Sequence, residues 1–385
     1  MGLIIFAVIC FIFLVVAHEY GHFLVAKKKG VEVEEFGVGF PPKIYGKKFG
    51  KGIFEGYYTI NLLPLGGFVR LKGEHDADKE KGSFGSVSTK AKLQIMLAGV
   101  SVNFVLALIL FTVVAWVGMP QLIPNQFTVK SNEKIIRSDV LVNLIVEGSP
   151  AEKAGLKNGD IISKINGQQI SSDTELLQAT KSNAGQTVSI DYIRKGNAAS
   201  AKAQLLTAQE VEASRKTDNP KGYLGIVPRE YKMAQYTWAA PIVSVGSSAQ
   251  FTWLTIKAIG SALAALGKAF INAITLNGAT AKQEAAKAGE NVSGPVGIFA
   301  VIQQGSALGY QFILFVIALI SLTLAIMNFL PIPALDGGRA FVMLVFRALK
   351  KPLTPKKEEL IHATGFALIM ILFVVITIVD IRRFY

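Results

Sequence analysis

His18, Glu19 and His22 stand in the run Ile12-Phe-Leu-Val-Val-Ala-His-Glu-Tyr-Gly-His-Phe-Leu-Val-Ala26, an H-E-x-x-H pattern set among apolar residues. Residues four apart on an α-helix share one face, one turn apart. Both imidazoles can therefore meet a single Zn²⁺, with Glu19 beside the attacking water as candidate general base. In a soluble helix the spacing could be coincidence. Here Leu3 to Val16 carries no charge, and ionisable groups inside a membrane segment are costly and usually functional. Two histidines leave a catalytic zinc one protein ligand short. The best third candidate is Asp336, in Asn328-Phe-Leu-Pro331-Ile-Pro333-Ala-Leu-Asp336-Gly-Gly338. Pro331 and Pro333 cannot continue an ordinary helix, so the backbone there can aim side chains at a metal. Asp-Gly-Gly alone reads as a simple turn; beside H-E-x-x-H the ligand reading takes precedence.

These groups need membrane helices to hold them. Four segments are long and apolar enough to span a bilayer, at about 3–26, 95–118, 310–332 and 361–380. Lys27, Lys28, Lys29, Lys43, Lys47, Lys48 and Lys51 follow the first. Arg339, Arg347, Lys350, Lys351, Lys356 and Lys357 separate the third from the fourth. Positive loops face the cytoplasm, which puts both termini and the 119–309 stretch outside and His18, His22 and Asp336 towards the inner side. The chain of 385 residues is 51% hydrophobic with mean hydropathy +0.42, too apolar for a typical soluble enzyme. A net charge of +13 could suggest nucleic acid. The lysines cluster beside apolar segments instead, with no aromatic-interleaved basic stripe. Cys10 is the single cysteine, so no disulfide can form within the chain, and packing is its expected role. The N-terminal run lacks a basic start and a small-residue cleavage site, and reads as a retained helix rather than a signal peptide.

Between the first two spans, Tyr57 to Leu71 reads as a β-hairpin around the turn Pro64-Leu65-Gly66-Gly67. Its apolar strands suit either a membrane-buried hairpin lining a cavity or a surface hairpin with exposed leucines. His75 lies in a polar loop and reads as solvated. Residues 127–206 turn to a soluble α/β composition. Gly148-Ser-Pro-Ala-Glu-Lys-Ala-Gly-Leu-Lys-Asn-Gly-Asp160-Ile-Ile resembles the PDZ domains of bacterial proteases, and Gly222-Tyr-Leu-Gly-Ile226 is similar to their peptide-binding strand, displaced by circular permutation. Such domains add a peptide to a sheet edge; a plug or spacer role stays open. Residues 239–275 could be a fifth span, but Gln250, Lys257, Ser261, Lys268 and Asn272 form one polar stripe, as in an interfacial amphipathic helix.

Taken together, the chain resembles the site-2 protease family of intramembrane zinc metalloproteases, in its regulator-of-sigma-E protease branch with a single PDZ. The residues that carry this are His18-Glu19-Tyr20-Gly21-His22, Leu63 to Gly67, Ala98-Gly99 with Asn103, Ser293 to Gly297, and Asn328 to Gly338. Val100 departs from the proline usual in that family. The resemblance implies zinc held by His18, His22 and Asp336, and Glu19 as catalytic base. It assigns substrate contacts to Asn328, Pro331, Pro333, Leu65, Gly66, Gly67 and Asn103. It also implies a bacterial inner-membrane enzyme cutting single-span proteins such as anti-sigma factors and remnant signal peptides. The fold class expected is a polytopic α-helical membrane protein with four spans, a membrane-associated β-hairpin and an inserted extracytoplasmic PDZ domain. Its parts would be 1–118, the PDZ at 127–230, a linker at 231–309 and a second membrane half at 310–385. Membrane lipid, substrate spans and a peptide or protein ligand of the PDZ are the expected partners, with no nucleic acid. A non-proteolytic membrane receptor binding peptides through its PDZ is the competing class.

Overall fold

The computed structural model describes residues 2–216, 220–274, 294–305 and 308–384. Ser293 and the 275–293 part of the expected linker lie outside the described residues. The chain divides into two compact units, one of Met1–Phe111, Val245–Ile302 and Val316–Tyr385, the other of Thr112–Ser244 and Gln303–Phe315.

Among the described residues, four helices have the length and apolarity to cross a membrane: Ile5–Lys28, Ala98–Val117, Tyr310–Phe329 and Pro355–Arg382. They lie in α1 (Gly2–Lys28), α3 (Ala98–Val117), α9 (Tyr310–Phe329) and α11 (Pro355–Phe384). The four apolar segments read from sequence are these, although the third ends at Phe329 rather than 332 and the fourth begins at Pro355. The short α2 (Thr89–Met96) precedes α3 and breaks from it at Leu97. Helix α7 (Ala240–Ile274) is not among the four, and it stacks Phe251 on Phe111 of α3 with ring centroids 5.8 Å apart. Helix α8 (Pro295–Gly305) leads towards α9, and α10 (Asp336–Ala348) lies between α9 and α11.

Helix α1 carries the H-E-x-x-H run because apolar side chains fill it on every side and it needs no polar face. It crosses α3 closely at two glycines. A Cβ on Gly21 would lie 2.8 Å from Val102 Cγ2, and one on Gly99 would lie 2.5 Å from His22 Nε2. Small residues let membrane helices approach in this way. Next to His22, fully buried Phe23 stacks on Tyr20 at 5.4 Å and meets Phe36 and Tyr58 edge-on or tilted at 5.8 and 5.7 Å. That ring cluster docks the β-structure onto α1.

The β-structure refines the sequence reading. β2 (Gly56–Leu71) pairs with β1 (Val33–Phe49), and the chain reverses at Pro64-Leu65-Gly66-Gly67 as expected. Phe36 to Val38 pair with 58–60 in parallel sense and with 67–69 in antiparallel sense, so the two arms flank β1 rather than pair with each other. A second turn, Gly50 to Glu55, was not expected; there Gly50 and Gly52 adopt φ of +85° and +61° and Phe49 pairs with Gly56. Gly66, at φ +86°, lies in the first reversal. The Gly-Lys-Gly at 50–52 carried the signal for the second.

The second unit holds antiparallel strands in the order β3-β9-β4-β5-β7-β8, with β6 on β5. They are β3 (Met119–Gln121), β4 (Lys134–Ile145), β5 (Ile161–Ile165), β6 (Gln168–Gln169), β7 (Thr187–Arg194), β8 (Asn197–Gln204) and β9 (Ile226–Gln235). Helices α4 (Pro150–Lys153) and α5 (Asp173–Ser182) add Ala151, Leu176 and Ala179 to a core with Val140, Ile162, Val188 and Ile190. Ser149 caps α4 through Glu152 N–H, so Gly-Ser-Pro is a helix start. The buried Asp160 takes two hydrogen bonds from the Arg194 guanidinium, at 2.8 and 2.7 Å.

In the membrane unit, fully buried Lys92 places its ammonium 2.6 Å from Asp76 Oδ1, and Arg347 reaches the same oxygen at 2.9 Å. Asp76 N–H also donates to Glu358 of α11 at 3.0 Å. Burial would raise the Asp76 pKa, but the Lys92 hydrogen bond and charge, then Arg347, outweigh it and hold the carboxyl below its ordinary value. A depressed carboxylate stabilises fully above its unfolded pKa, near ~3.9, and that stabilisation is lost as pH falls through the folded value. Asp76→Ala, which strands the Lys92 charge, is expected to cost about 3–5 kcal/mol. Its thermal midpoint in detergent should fall well below that of native protein at pH 7, and the gap should close as the pH drops through the acid range.

Candidate metal centre

His18 and His22 project from α1 toward α3, and Asp336 opens α10. His18 Nε2 lies 3.0 Å from Asp336 Oδ2, His22 Nε2 lies 3.2 Å from it, and the two Nε2 atoms are 3.2 Å apart. Ligands about 2.0–2.1 Å from a tetrahedral zinc stand roughly 3.3 Å from one another, so this triangle fits that ion. The buried Asp336 Oδ2 has no hydrogen-bond partner despite the two nitrogens beside it. A bare carboxylate oxygen facing two bare nitrogens is a donor set for a cation. Among the described residues, His18, His22 and Asp336 are the group of metal-ligating side chains that converges in this way; His75 is half-exposed, with Nδ1 3.6 Å from Asp78.

The other ring nitrogens set the tautomers. His22 Nδ1–H donates to the Ile95 carbonyl at 2.7 Å, which leaves Nε2 free to bind. Ile95 is in the last turn of α2, where helix carbonyls lack intrahelical partners. The Asn103 amide lies 3.3 Å from His18 Nδ1, while its Oδ1 is buried without a partner. Turning that oxygen to the ring lets it accept the Nδ1 proton, satisfies both groups and frees His18 Nε2. Asn103 is itself tied back by Ser321, whose hydroxyl donates to its carbonyl at 2.8 Å.

Asp-Gly-Gly is the first turn of α10 rather than a loose turn. A Cβ on Gly337 or Gly338 would collide with the Phe329 or Ile332 carbonyl, so only glycine lets α10 start against the chain that feeds it. Between α9 and α10, Ala334 has φ +82°, a left-handed conformation that costs an alanine on the order of 1–3 kcal/mol.

A cavity of about 210 Å³ opens beside the three ligand atoms, lined by Val15, His18, Glu19, Asn103, Leu324, Asn328, Ala334, Leu335 and Asp336. Glu19, Asn103 and Asn328 are therefore brought together with the ligands. Gly67 lies against Glu19, where a Cβ would be 3.5 Å from its Cγ, and Gly66 lies against the Phe40 ring. Pro331 and Pro333 shape the α9–α10 bend but are not among the lining residues. The Leu65 side chain lies outside the described residues. The sequence reading quoted Gly99 with Ala98 but gave it no role, and it missed the Ile95 carbonyl and His362, whose Nδ1 accepts from Ala334 N–H at 3.1 Å.

Residues 6–372 match peptidase family M50. A candidate zinc metalloprotease of Clostridium perfringens is 31% identical over 98% of both chains. The zinc metalloprotease RasP of Shouchella clausii is 28% identical over 97% of both, and that of Oceanobacillus iheyensis is 26% identical over the whole of both.

Gly99→Ala tests how tightly the helices close on the metal. Its methyl group would press on His18 and His22, at 2.6 and 2.5 Å from their Nε2 atoms. Zinc content of purified protein, by plasma mass spectrometry, should fall from one per chain to a small fraction, with membrane insertion retained.

Proposed function

The chain belongs to peptidase family M50, and from that premise we propose that it is an intramembrane zinc endopeptidase cutting the spans of single-span membrane proteins. The observation that carries the reading is a complete ligand triangle with an acid beside it, His18, His22 and that acid lying on a helix apolar enough to cross a bilayer. His18, His22 and Asp336 would hold the zinc, which supplies a Lewis acid that makes water a nucleophile near neutral pH. Glu19, next to His18 and on the cavity wall, takes the proton from the attacking water and returns it to the leaving amine. Asn328 offers an amide on the same wall for the substrate backbone.

A substrate span hides its amides in i to i−4 hydrogen bonds and must unwind before it is cut. Residues 67–71 of β2 pair with β1 on one side, and an extended substrate added along the other edge would keep its backbone groups satisfied. By resemblance, the substrates are membrane-anchored anti-sigma factors already clipped outside and leftover signal peptides. The lysine distribution supports a cytoplasmic side for the zinc. The 127–230 stretch would then face outward as a circularly permuted PDZ that governs substrate access. A peptide receptor without hydrolysis is disfavoured by an acid positioned beside the ligands, since binding alone needs none.

Glu19→Gln should keep one zinc per chain and normal insertion, because no ligand or apolar surface is lost. Cleavage of a reporter span should drop about 10²–10⁴-fold, since an amide cannot take the proton. Near-native turnover would remove Glu19 from the mechanism, and absence of cleavage by native protein with zinc bound would favour the receptor.

Sidedness has its own measurement. In a Cys10→Ser background, cysteines replacing Lys28 and Lys351 should resist a membrane-impermeant thiol reagent on spheroplasts, and one replacing Lys181 should react. Equal labelling of Lys28→Cys and Lys181→Cys would overturn the arrangement.

A further inference from the structure

His362 lies in α11, outside every motif discussed above and outside the cavity lining. A polar ring on a membrane span calls for a reason. Its Nδ1 accepts the Ala334 N–H at 3.1 Å, which puts the ring proton on Nε2, a buried atom with no hydrogen-bond partner. The bond is thus the polar contact that the ring makes with the protein.

What it holds is unusual. Ala334 sits at φ +82°, where glycine would be comfortable and alanine is not. It precedes Leu335, which occupies the N-cap of α10 without any side-chain cap. Asp336 comes next, so the direction of its carboxylate depends on how the 333–335 backbone is set. Three residues along the same face of α11, Gly365 lies against Pro333, whose Cβ would be 2.5 Å from a Cβ placed there. Helix α11 therefore grips Pro333 by contact and Ala334 by a hydrogen bond, immediately before the ligand.

We propose that His362 is a positioning residue for the metal centre: by accepting the Ala334 N–H it fixes the left-handed backbone from which Asp336 reaches His18 and His22. This rests on the reading of Asp336 as a zinc ligand. It needs no contact between His362 and metal or substrate. Residues that orient ligands in this indirect way typically change metal affinity about 10–100-fold when lost.

The test uses full-length protein in detergent, with zinc affinity measured by chelator competition. His362→Asn puts its amide oxygen near the place of Nδ1, whereas His362→Gln carries it nearer the place of Nε2. The two are similar in polarity and packing, so a fold defect would affect both. The expected result is affinity within about threefold of native for Asn, and a loss of about 10–100-fold for Gln and for His362→Leu. Native affinity in the Leu variant would overturn the proposal, as would equal losses for Asn and Gln, which would make the ring a space-filler. Asp336→Ala separates the two readings. If it loses zinc while His362→Gln does not, the clamp alone fails; if it keeps zinc, the ligand assignment fails and the clamp falls with it.

Discussion

Inside a bilayer, a polar group without a partner in the protein has none at all. Two imidazoles and a carboxylate at mutual distances of 3.0–3.2 Å can meet that constraint together around a shared cation. Much of the membrane unit follows from it. The Nε2 atoms are bare because their Nδ1 atoms face the Ile95 carbonyl and the Asn103 amide. Those partners arrive because α1 and α3 meet at Gly21 and Gly99 without intervening side chains. Asp336 arrives because two further glycines let α10 begin against the carbonyls of the chain before it.

How much of this the sequence disclosed depends on range. His18, Glu19 and His22 were legible because a helix fixes residues four apart by local geometry alone. Asp336 was legible more weakly, through prolines that had to interrupt a span. Four apolar runs translated into four helices because burial in lipid needs only length and composition. The reversal at Pro64 to Gly67 was legible from its turn residues, whereas β1 lying between the two arms was not, because that pairing joins residues 22 to 38 apart. Ile95 and His362 could not be read at all: each matters through a partner dozens of residues away, and nothing local announces the meeting.

Asp380 extends the same logic beyond the metal. It is a buried acid on α11 whose Oδ2 accepts the Gly297 N–H at 2.8 Å, in the first turn of α8. A Cβ on Gly294 or Gly297 would come within 3.0 Å of that carboxylate. The glycines of the Gly294-Pro-Val-Gly297 run thus find a physical reason that needs no role in chemistry. A helix start exposes N–H groups, a carboxylate satisfies one of them and favours the positive end of the helix dipole, and both must be small-residue sites to come together. With His362 and Glu358, α11 makes polar contacts to the rest of the unit at three places among the described residues, so this span is located by hydrogen bonds where its apolar surface gives little register.

Gly67 lies where any side chain would press on the Gly37 carbonyl at 3.1 Å and on Glu19 Cγ at 3.5 Å. The β2 backbone therefore runs in contact with the acid, and Phe23, Phe36 and Tyr58 fix that closeness from the next turn of α1. A peptide helix about 10–12 Å wide cannot approach as near. A single strand added to the 67–71 edge would lie about 4.7–4.9 Å from it, with its amides already paired. Under the proposed function, the glycine at 67 and the aromatic cluster would favour substrates that reach the acid unwound, which would link the ease of unwinding a span to how readily it is cut.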